Sequence, residues 1–110
     1  MYEKTDKRRI YQLIDMYLSG KINETTFCDE FYYCFDLELD YDTLTEDEYK
    51  VFYELSEITG RFSRFEEDHQ QHPGVFYTKE EVQQKIIETK EKLRNYFEEL
   101  KNQEDINSIQ

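Results

Sequence analysis

Two histidines near a group of carboxylates offer the first possible chemistry. His69 and His72 lie three residues apart and follow the acidic cluster Glu66–Asp68. Imidazole and carboxylate side chains bind zinc when an element of structure makes them converge. These residues precede a Pro-Gly pair at 73–74, which marks a turn. The sequence therefore predicts a solvated loop here and no metal site.

A second set of carboxylates has part of the spacing of a calcium-binding loop. Asp36, Glu38 and Asp40 occupy what would be positions one, three and five of such a loop. Position six is Tyr41, where the sharp turn needs glycine, and position twelve is Asp47 instead of glutamate. Both differences argue against calcium binding, so we predict no metal ion at this segment either.

The two cysteines are the candidate nucleophiles of the chain. Cys28 and Cys34 are six residues apart on one predicted helix, on different faces, which makes a disulfide between them implausible. Cys34 falls on an apolar stripe, where a free cysteine behaves as a small hydrophobic residue. The sequence also has no glycine-rich phosphate-binding loop. We therefore predict a protein that is not an enzyme and needs no cofactor, with free thiols suited to a reducing cytoplasm.

Charge is the strongest signal in the sequence. The 110 residues include 26 Asp and Glu against 14 Lys and Arg, a net charge of -12. Between Lys21 and Lys50 there are ten acids and no positive residue. Solvated helices usually mix charges of both signs because each pair adds a few tenths of a kcal/mol. Such a field opposes nucleic acid and anionic membranes and favours a basic partner, although a merely acidic soluble protein remains an alternative.

Four amphipathic segments must position these side chains. Their apolar residues recur at helical spacing, and no stretch alternates in the manner of a strand. Gly20 follows the first segment where a left-handed cap is expected, and Asn23 is a good N-cap for the second. We predict a single all-α domain, an antiparallel four-helix bundle with helices over residues 5–19, 23–39, 45–64 and 78–102.

Two of these helices have the sequence signature of a capping box. Thr45 with Glu48, and Thr78 with Glu81, have the spacing at which cap and third residue bond reciprocally. Tyr49 occupies the position that packs against the residue preceding the cap. The starts of the third and fourth helices are therefore the best-defined boundaries that the sequence predicts.

The order of these elements resembles the colicin D immunity protein family and related self-protective immunity proteins. The stretch IYQLIDMYLSGKINETTFCDEFYYCF resembles the first two helices of that family. LTEDEYKVFYELSEITGRFSRFEED and FYTKEEVQQKIIETKEKL resemble its third and fourth helices. The resemblance spans residues 10–93 and consists of hydrophobic and turn positions. It implies a small helical bundle that binds the catalytic domain of a cognate bacterial toxin, often a ribonuclease, and covers its active site with acidic side chains.

From the charge and the resemblance together we predict a cytoplasmic immunity protein, a monomer or weak dimer, whose partner is a basic toxin catalytic domain. Carboxylates steer a basic partner and tyrosines anchor it. The predicted partner-binding residues are Asp40, Tyr41, Asp42, Asp47, Tyr53, Glu57, Glu66, Glu67 and Asp68. One alternative is an acidic adaptor or regulatory bundle that binds a basic protein other than a toxin. Another is a metal-dependent or hydrolytic enzyme that uses His69 and His72.

Overall fold

The protein folds into helices joined by short connections. The computed structural model describes residues 2–109, with side chains described up to residue 103. The α-helices are α1 (Arg8–Leu18), α2 (Glu24–Phe31), α3 (Glu46–Thr59), α4 (Glu66–Gln71), α5 (Lys79–Lys92) and α6 (Arg94–Ile109). A π-helical segment, Tyr32–Glu38, continues α2, and one 3-10 turn covers Tyr41–Thr43. No strand occurs within residues 2–109, so the predicted all-α class is confirmed.

Local sequence explains how several of these helices begin and end. Asn23 accepts a hydrogen bond from the Thr26 amide at 2.9 Å, as an N-cap residue does. Both predicted capping boxes are present, one at the start of α3 and one at the start of α5. Gly20 has a φ of 83°, the left-handed conformation that most other residues avoid. These four predictions are confirmed.

Several predicted boundaries differ from the structure. The first helix, predicted from residue 5, begins at Arg8, and the third, predicted to residue 64, ends at Thr59 just before Gly60. The segment after α3, predicted as a loop, contains α4, where Asp68 accepts a hydrogen bond from the Ser63 hydroxyl at 2.5 Å. The helix predicted over 78–102 is divided at Leu93, whose φ of -108° and ψ of 21° leave the helical region. Leu93 is buried in the core, and neither glycine nor proline stands at this break.

The core lies where α1, α2, α3 and α5 meet. Helix α3 runs antiparallel to α5, because Thr45 at its start contacts Tyr96 beyond the end of α5, while Ser63 beyond its end bonds Tyr77 ahead of α5. The least exposed apolar side chains are Ile10, Leu13, Ile14, Phe27, Phe31, Cys34, Phe52, Leu55, Val82, Ile86 and Leu93. None of the helices within the described range combines the length and apolar character that a membrane crossing requires.

Candidate functional site

Three exposed tyrosines form a row across the start of α3. Tyr49 and Tyr53 are four residues apart on α3, so their rings lie on one face and stack with centroids 6.0 Å apart. The Tyr41 ring meets Tyr49 edge-on at 5.8 Å, and its hydroxyl donates a hydrogen bond to the Phe35 carbonyl. The three side chains of this tyrosine row are 46%, 45% and 49% exposed.

The tyrosine row rests on a buried aromatic floor. The Phe35 ring lies 5.4 Å from Tyr41 and 6.3 Å from Tyr49 between centroids, and its side chain is buried. Phe35 belongs to the π-helical segment and packs edge-on against Phe52 of the core. The row is therefore held from below, and its outer faces are presented to solvent in a fixed arrangement.

Exposed carboxylates surround the row, and we call Asp36, Asp40, Asp42, Glu46 and Glu57 the acidic rim. None of these five forms an ion pair within the described part of the chain. Glu46 and Glu57 flank the row because they lie on the same side of α3 as Tyr49 and Tyr53. Asp40 also accepts a bond from the Asp42 amide at 3.0 Å, so it shapes the 3-10 turn.

Partial burial and neighbouring charge shift the pKa values of Asp36 in the rim and Tyr41 in the row. Desolvation raises the pKa of Asp36, although the side chain is still largely open to solvent. Desolvation also raises the pKa of Tyr41, and the negative charge of Asp36 adds to this effect. Both effects keep the Tyr41 hydroxyl uncharged at neutral pH.

Among the described side chains, no cation lies over a ring of the row. Elsewhere, cations of the chain make cation-π contacts with its aromatic rings. The Lys4 ammonium lies 5.3 Å from the Tyr33 ring centroid, and the Arg64 guanidinium lies 4.9 Å from that of Phe65. Within the described residues no such contact is made to Tyr41, Tyr49 or Tyr53. Lys50 lies on the same side of α3, four residues after Glu46, but forms no ion pair with the rim within the described residues. The row and its rim thus present aromatic faces beside carboxylates that outnumber the nearby cation, which suits a cationic partner.

The flank of α3 that faces α5 contains a carboxylate with positive partners. Glu54 lies 3.6 Å from the Lys85 ammonium and 3.3 Å from that of Lys92, both on α5. The same two lysines contact Glu88 at 3.0 Å and 3.6 Å. This mixed-charge network spans the contact between α3 and α5, and it lowers the pKa values of Glu54 and Glu88 through hydrogen bonds and attraction.

Glu48 is the one acid of the predicted acidic segment that enters the core. Its side chain is fully buried and accepts bonds from the Tyr11 hydroxyl at 2.6 Å and the Lys7 ammonium at 2.9 Å. The Thr45 amide donates a third bond at 2.9 Å. Burial alone would raise the pKa of Glu48, but these hydrogen bonds outweigh it and the pKa is lowered. Glu48 is therefore a structural group.

The predicted contact residues fall into two regions. Asp40, Tyr41 and Asp42 precede α3, and Tyr53 and Glu57 lie on its open face, all beside the row. The acidic cluster Glu66–Asp68 follows the other end of α3, which is about 21 Å long at 1.5 Å per residue. The structure thus does not bring this cluster together with the acids at 40–42.

Two of the predicted contact residues have other surroundings. Asp68 is half-buried and accepts the Ser63 hydrogen bond that ties α4 down, whereas Glu66 and Glu67 are exposed. Asp47 is exposed but lies two residues before Tyr49, on roughly the opposite side of α3 at 3.6 residues per turn. Their roles as partner contacts stay predictions, and neither belongs to the tyrosine row.

The central ring of the row was not among the predicted contact residues. Tyr49 was interpreted as a packing residue at the start of α3, yet 45% of its side chain is exposed. Its spacing of four from Tyr53 was the signal that could have identified it. Asp36 and Glu46 were likewise missed as rim residues, because the sequence does not show which acids share a face.

The histidines and cysteines make local contacts. His69 Nε2 lies 2.9 Å from the Ser63 carbonyl, and the His72 ring packs edge-on against Phe76. Across the described residues, no three His, Cys, Asp or Glu side chains are grouped as a metal site requires. Burial raises the pKa of Cys28 to about 12 and that of Cys34 to about 11, which disfavours the nucleophilic thiolate.

Comparison with known proteins identifies no relative: no family model, no curated protein and no solved structure matches the chain.

Proposed function

We propose that the chain is an immunity protein that binds the basic catalytic domain of a bacterial toxin through the tyrosine row and the acidic rim. In this proposal α1, α2, α3 and α5 serve as the four-helix bundle that holds this surface rigid. The protein acts in the cytoplasm, as a monomer or weak dimer, by occupying the toxin's active site stoichiometrically. Its buried, free Cys28 and Cys34 suit that reducing compartment.

The observation that carries the proposal is that, among the described residues, the carboxylates around three half-exposed tyrosines form no ion pair. Tyrosine is enriched at the energetically dominant positions of protein interfaces because it combines apolar area with a polar group. An exposed row of three, fixed from below by Phe35, loses little side-chain entropy when a partner covers it. The unpaired carboxylates of the rim then select a partner of positive charge.

A nuclease active site is such a partner because it holds phosphates with lysine and arginine side chains. Carboxylates of the rim would take the positions that substrate phosphates occupy, so inhibitor and substrate would exclude each other. Opposite fields accelerate the encounter, and salt weakens them over a distance of about 8 Å at physiological ionic strength. The proposal therefore includes an association rate that falls as salt rises. Glu66 and Glu67, at the far end of α3, would add to this long-range attraction.

Co-expression with a toxin catalytic domain encoded next to the chain tests the proposal. Cells that produce both proteins survive, whereas cells with the toxin domain alone die. The double variant Tyr49→Ala, Tyr53→Ala loses the protection, and Glu54→Gln, on the flank of the same helix that contacts α5, keeps it. If the toxin domain kills equally with and without the chain, the immunity function is wrong.

A further inference from the structure

A groove between α1 and α6 differs in charge from the rest of the molecule. It encloses about 650 Å³, within the range of sites that hold small molecules. Its lining includes Arg8, Lys21, Lys90, Arg94 and Lys101 but only two acids, Asp15 and Glu98. More than a third of the Lys and Arg side chains of a chain with net charge -12 thus lie at one groove.

Three of these cations have no acidic partner within the described structure. Lys90 is held by Asp15 at 2.7 Å, and Arg8 is bound to Asp6. Lys21, Arg94 and Lys101 form no ion pair among the described side chains. Arg94 and Lys101 are seven residues apart and lie on the same face of α6, about 10 Å apart along its axis.

The lining of the groove is also partly apolar and fixed in place. Met16 of α1 and the rings and side chains of Phe97 and Leu100 of α6 contribute its apolar surface. Phe97 packs edge-on against the buried Tyr11 with centroids 4.6 Å apart, which ties α6 to α1. The Lys90 ammonium lies 5.0 Å from the Phe97 centroid. Positive groups therefore stand beside a surface on which an organic group could rest.

We propose that this groove binds a compact organic phosphate, such as a nucleoside triphosphate, with the phosphates on Lys21, Arg94 and Lys101. Phosphate accepts strong charge-assisted bonds from arginine and lysine, and the organic part would contact Met16, Phe97 and Leu100. This function is additional to toxin binding, because no residue of the tyrosine row or acidic rim lines the groove.

Physical size favours a compact ligand over a nucleic acid. The attraction of the groove extends only about 8 Å at physiological ionic strength. A long polyanion would continue beyond the groove onto a chain whose net charge is -12, where it is repelled. A molecule with a few phosphates fits within the groove and interacts mainly with its positive side chains. The local charge of the groove, and not the net charge of the protein, therefore decides whether it binds.

Titration calorimetry with adenosine triphosphate tests this site in the full chain. We expect saturable one-to-one binding, with inorganic triphosphate weaker by roughly tenfold and adenosine without phosphates not bound. Arg94→Gln combined with Lys101→Gln lowers the affinity at least about tenfold, since two charge-assisted contacts are lost. The matched control, Lys50→Gln with Lys79→Gln, removes the same charge from exposed positions outside the groove and leaves the affinity unchanged.

Several results would overturn the proposal. An equal loss of affinity in both double variants would show that the ligand responds to the overall charge of the protein and not to this groove. Absence of binding by the unmodified chain would refute the site outright. Inorganic triphosphate that binds as tightly as the nucleotide would remove the role of Met16, Phe97 and Leu100. A single-stranded oligonucleotide that binds more tightly at the same residues would exclude a compact ligand. Toxin protection is measured separately, so either proposal can fail while the other stands.

Discussion

The two sides of helix α3 treat negative charge in opposite ways. On one side, which we call the paired side, Glu48 is bound by Lys7 and Tyr11, and Glu54 contacts two lysines of α5. On the other, open side, Glu46 and Glu57 flank Tyr49 and Tyr53 and form no ion pair within the described residues. Both sides belong to one helix of 14 residues.

This difference shows that α3 places its paired and its unpaired carboxylates differently. Unpaired acids are not confined to the open side, since Asp47, Glu66 and Glu67 also form no ion pair within the described residues, but the open side is where they stand beside exposed tyrosines. Where α3 meets α1 and α5, Glu48 and Glu54 have positive partners, and these pairs join elements distant in sequence. The carboxylates of the open side lack the stabilisation of ion pairs and repel one another, and they stand beside exposed aromatic rings. A surface of this kind adds little to stability, so its expected role is binding.

The largest expected effect is on the paired side. Replacing Glu48 by alanine leaves the buried Tyr11 hydroxyl and the Lys7 ammonium without their acceptor and breaks the capping box of α3. We expect a loss of about 3–4 kcal/mol in the free energy of unfolding, the usual cost of breaking a buried pair. Urea denaturation at neutral pH measures it.

Glu81→Ala is the matched control for that variant. Glu81 occupies the same position in the capping box of α5, but its side chain is exposed and has no buried partner beyond the box. The expected cost is about 1 kcal/mol, the typical value of a lost helix cap. Equal losses in the two variants would contradict the view that Glu48 is distinguished by its buried partners.

The paired side also predicts a pH dependence. The pKa of Glu48 is lowered on folding from its ordinary value of 4.5, so ionised Glu48 stabilises the fold above about that pH. This contribution is lost as the pH falls through the lower, folded-state pKa. Urea midpoints measured between pH 3 and pH 7 should therefore fall on acidification, with a smaller slope in Glu48→Gln. Identical slopes would exclude Glu48 as a source of acid sensitivity.

On the open side, the largest expected effect is on binding. Tyr49→Ala removes the central ring of the tyrosine row and should weaken toxin binding by about 2 kcal/mol, the threshold of a dominant interface residue. Because the ring is half-exposed, the free energy of unfolding should change little. Surface plasmon resonance would show the change mainly as faster dissociation.

Tyr33→Ala provides a control of similar exposure for that experiment. Tyr33 is 42% exposed, but Lys4 already lies over its ring. We expect dissociation of the complex to change less than about twofold, within the small effects of most interface-distant residues. If Tyr33→Ala weakens binding as much as Tyr49→Ala, the tyrosine row is not the contact surface.

The smallest effects distinguish the two sides most sharply. Glu54→Gln should cost about 0.5 kcal/mol of stability, as exposed ion pairs do, and leave toxin binding unchanged. Glu57→Gln, three residues on, should leave stability unchanged or slightly raised and reduce the association rate. Denaturation and binding kinetics on both variants would give this crossed result. The same pattern in both would mean that the two sides do not differ in role.

Much of the fold could be predicted from the sequence because its signals are local. The caps at Asn23, Thr45 and Thr78 depend on a few adjacent residues, and so does the turn at Gly20. The division at Leu93 could not be predicted in this way. No glycine or proline marks it in the sequence, and Leu93 is an apolar residue of the core like its neighbours in the predicted stripe.

The candidate site could be predicted only in part. Composition and spacing indicate an acidic segment rich in tyrosine, and Tyr41 and Tyr53 do lie in the row. The position of Glu66–Asp68 beyond the third helix followed from the predicted bounds of that helix. The sequence does not show that Glu48 turns inward, because tertiary packing decides the partner of each acid.

The most direct test of the open side as a docking surface is chemical-shift mapping of the labelled chain with and without the toxin catalytic domain. The account predicts that the largest changes occur at the tyrosine row and the acidic rim, with the α3–α5 contact at Glu54 little affected. Changes concentrated around Glu54, Lys85 and Lys92, with Tyr41, Tyr49 and Tyr53 unmoved, would contradict it.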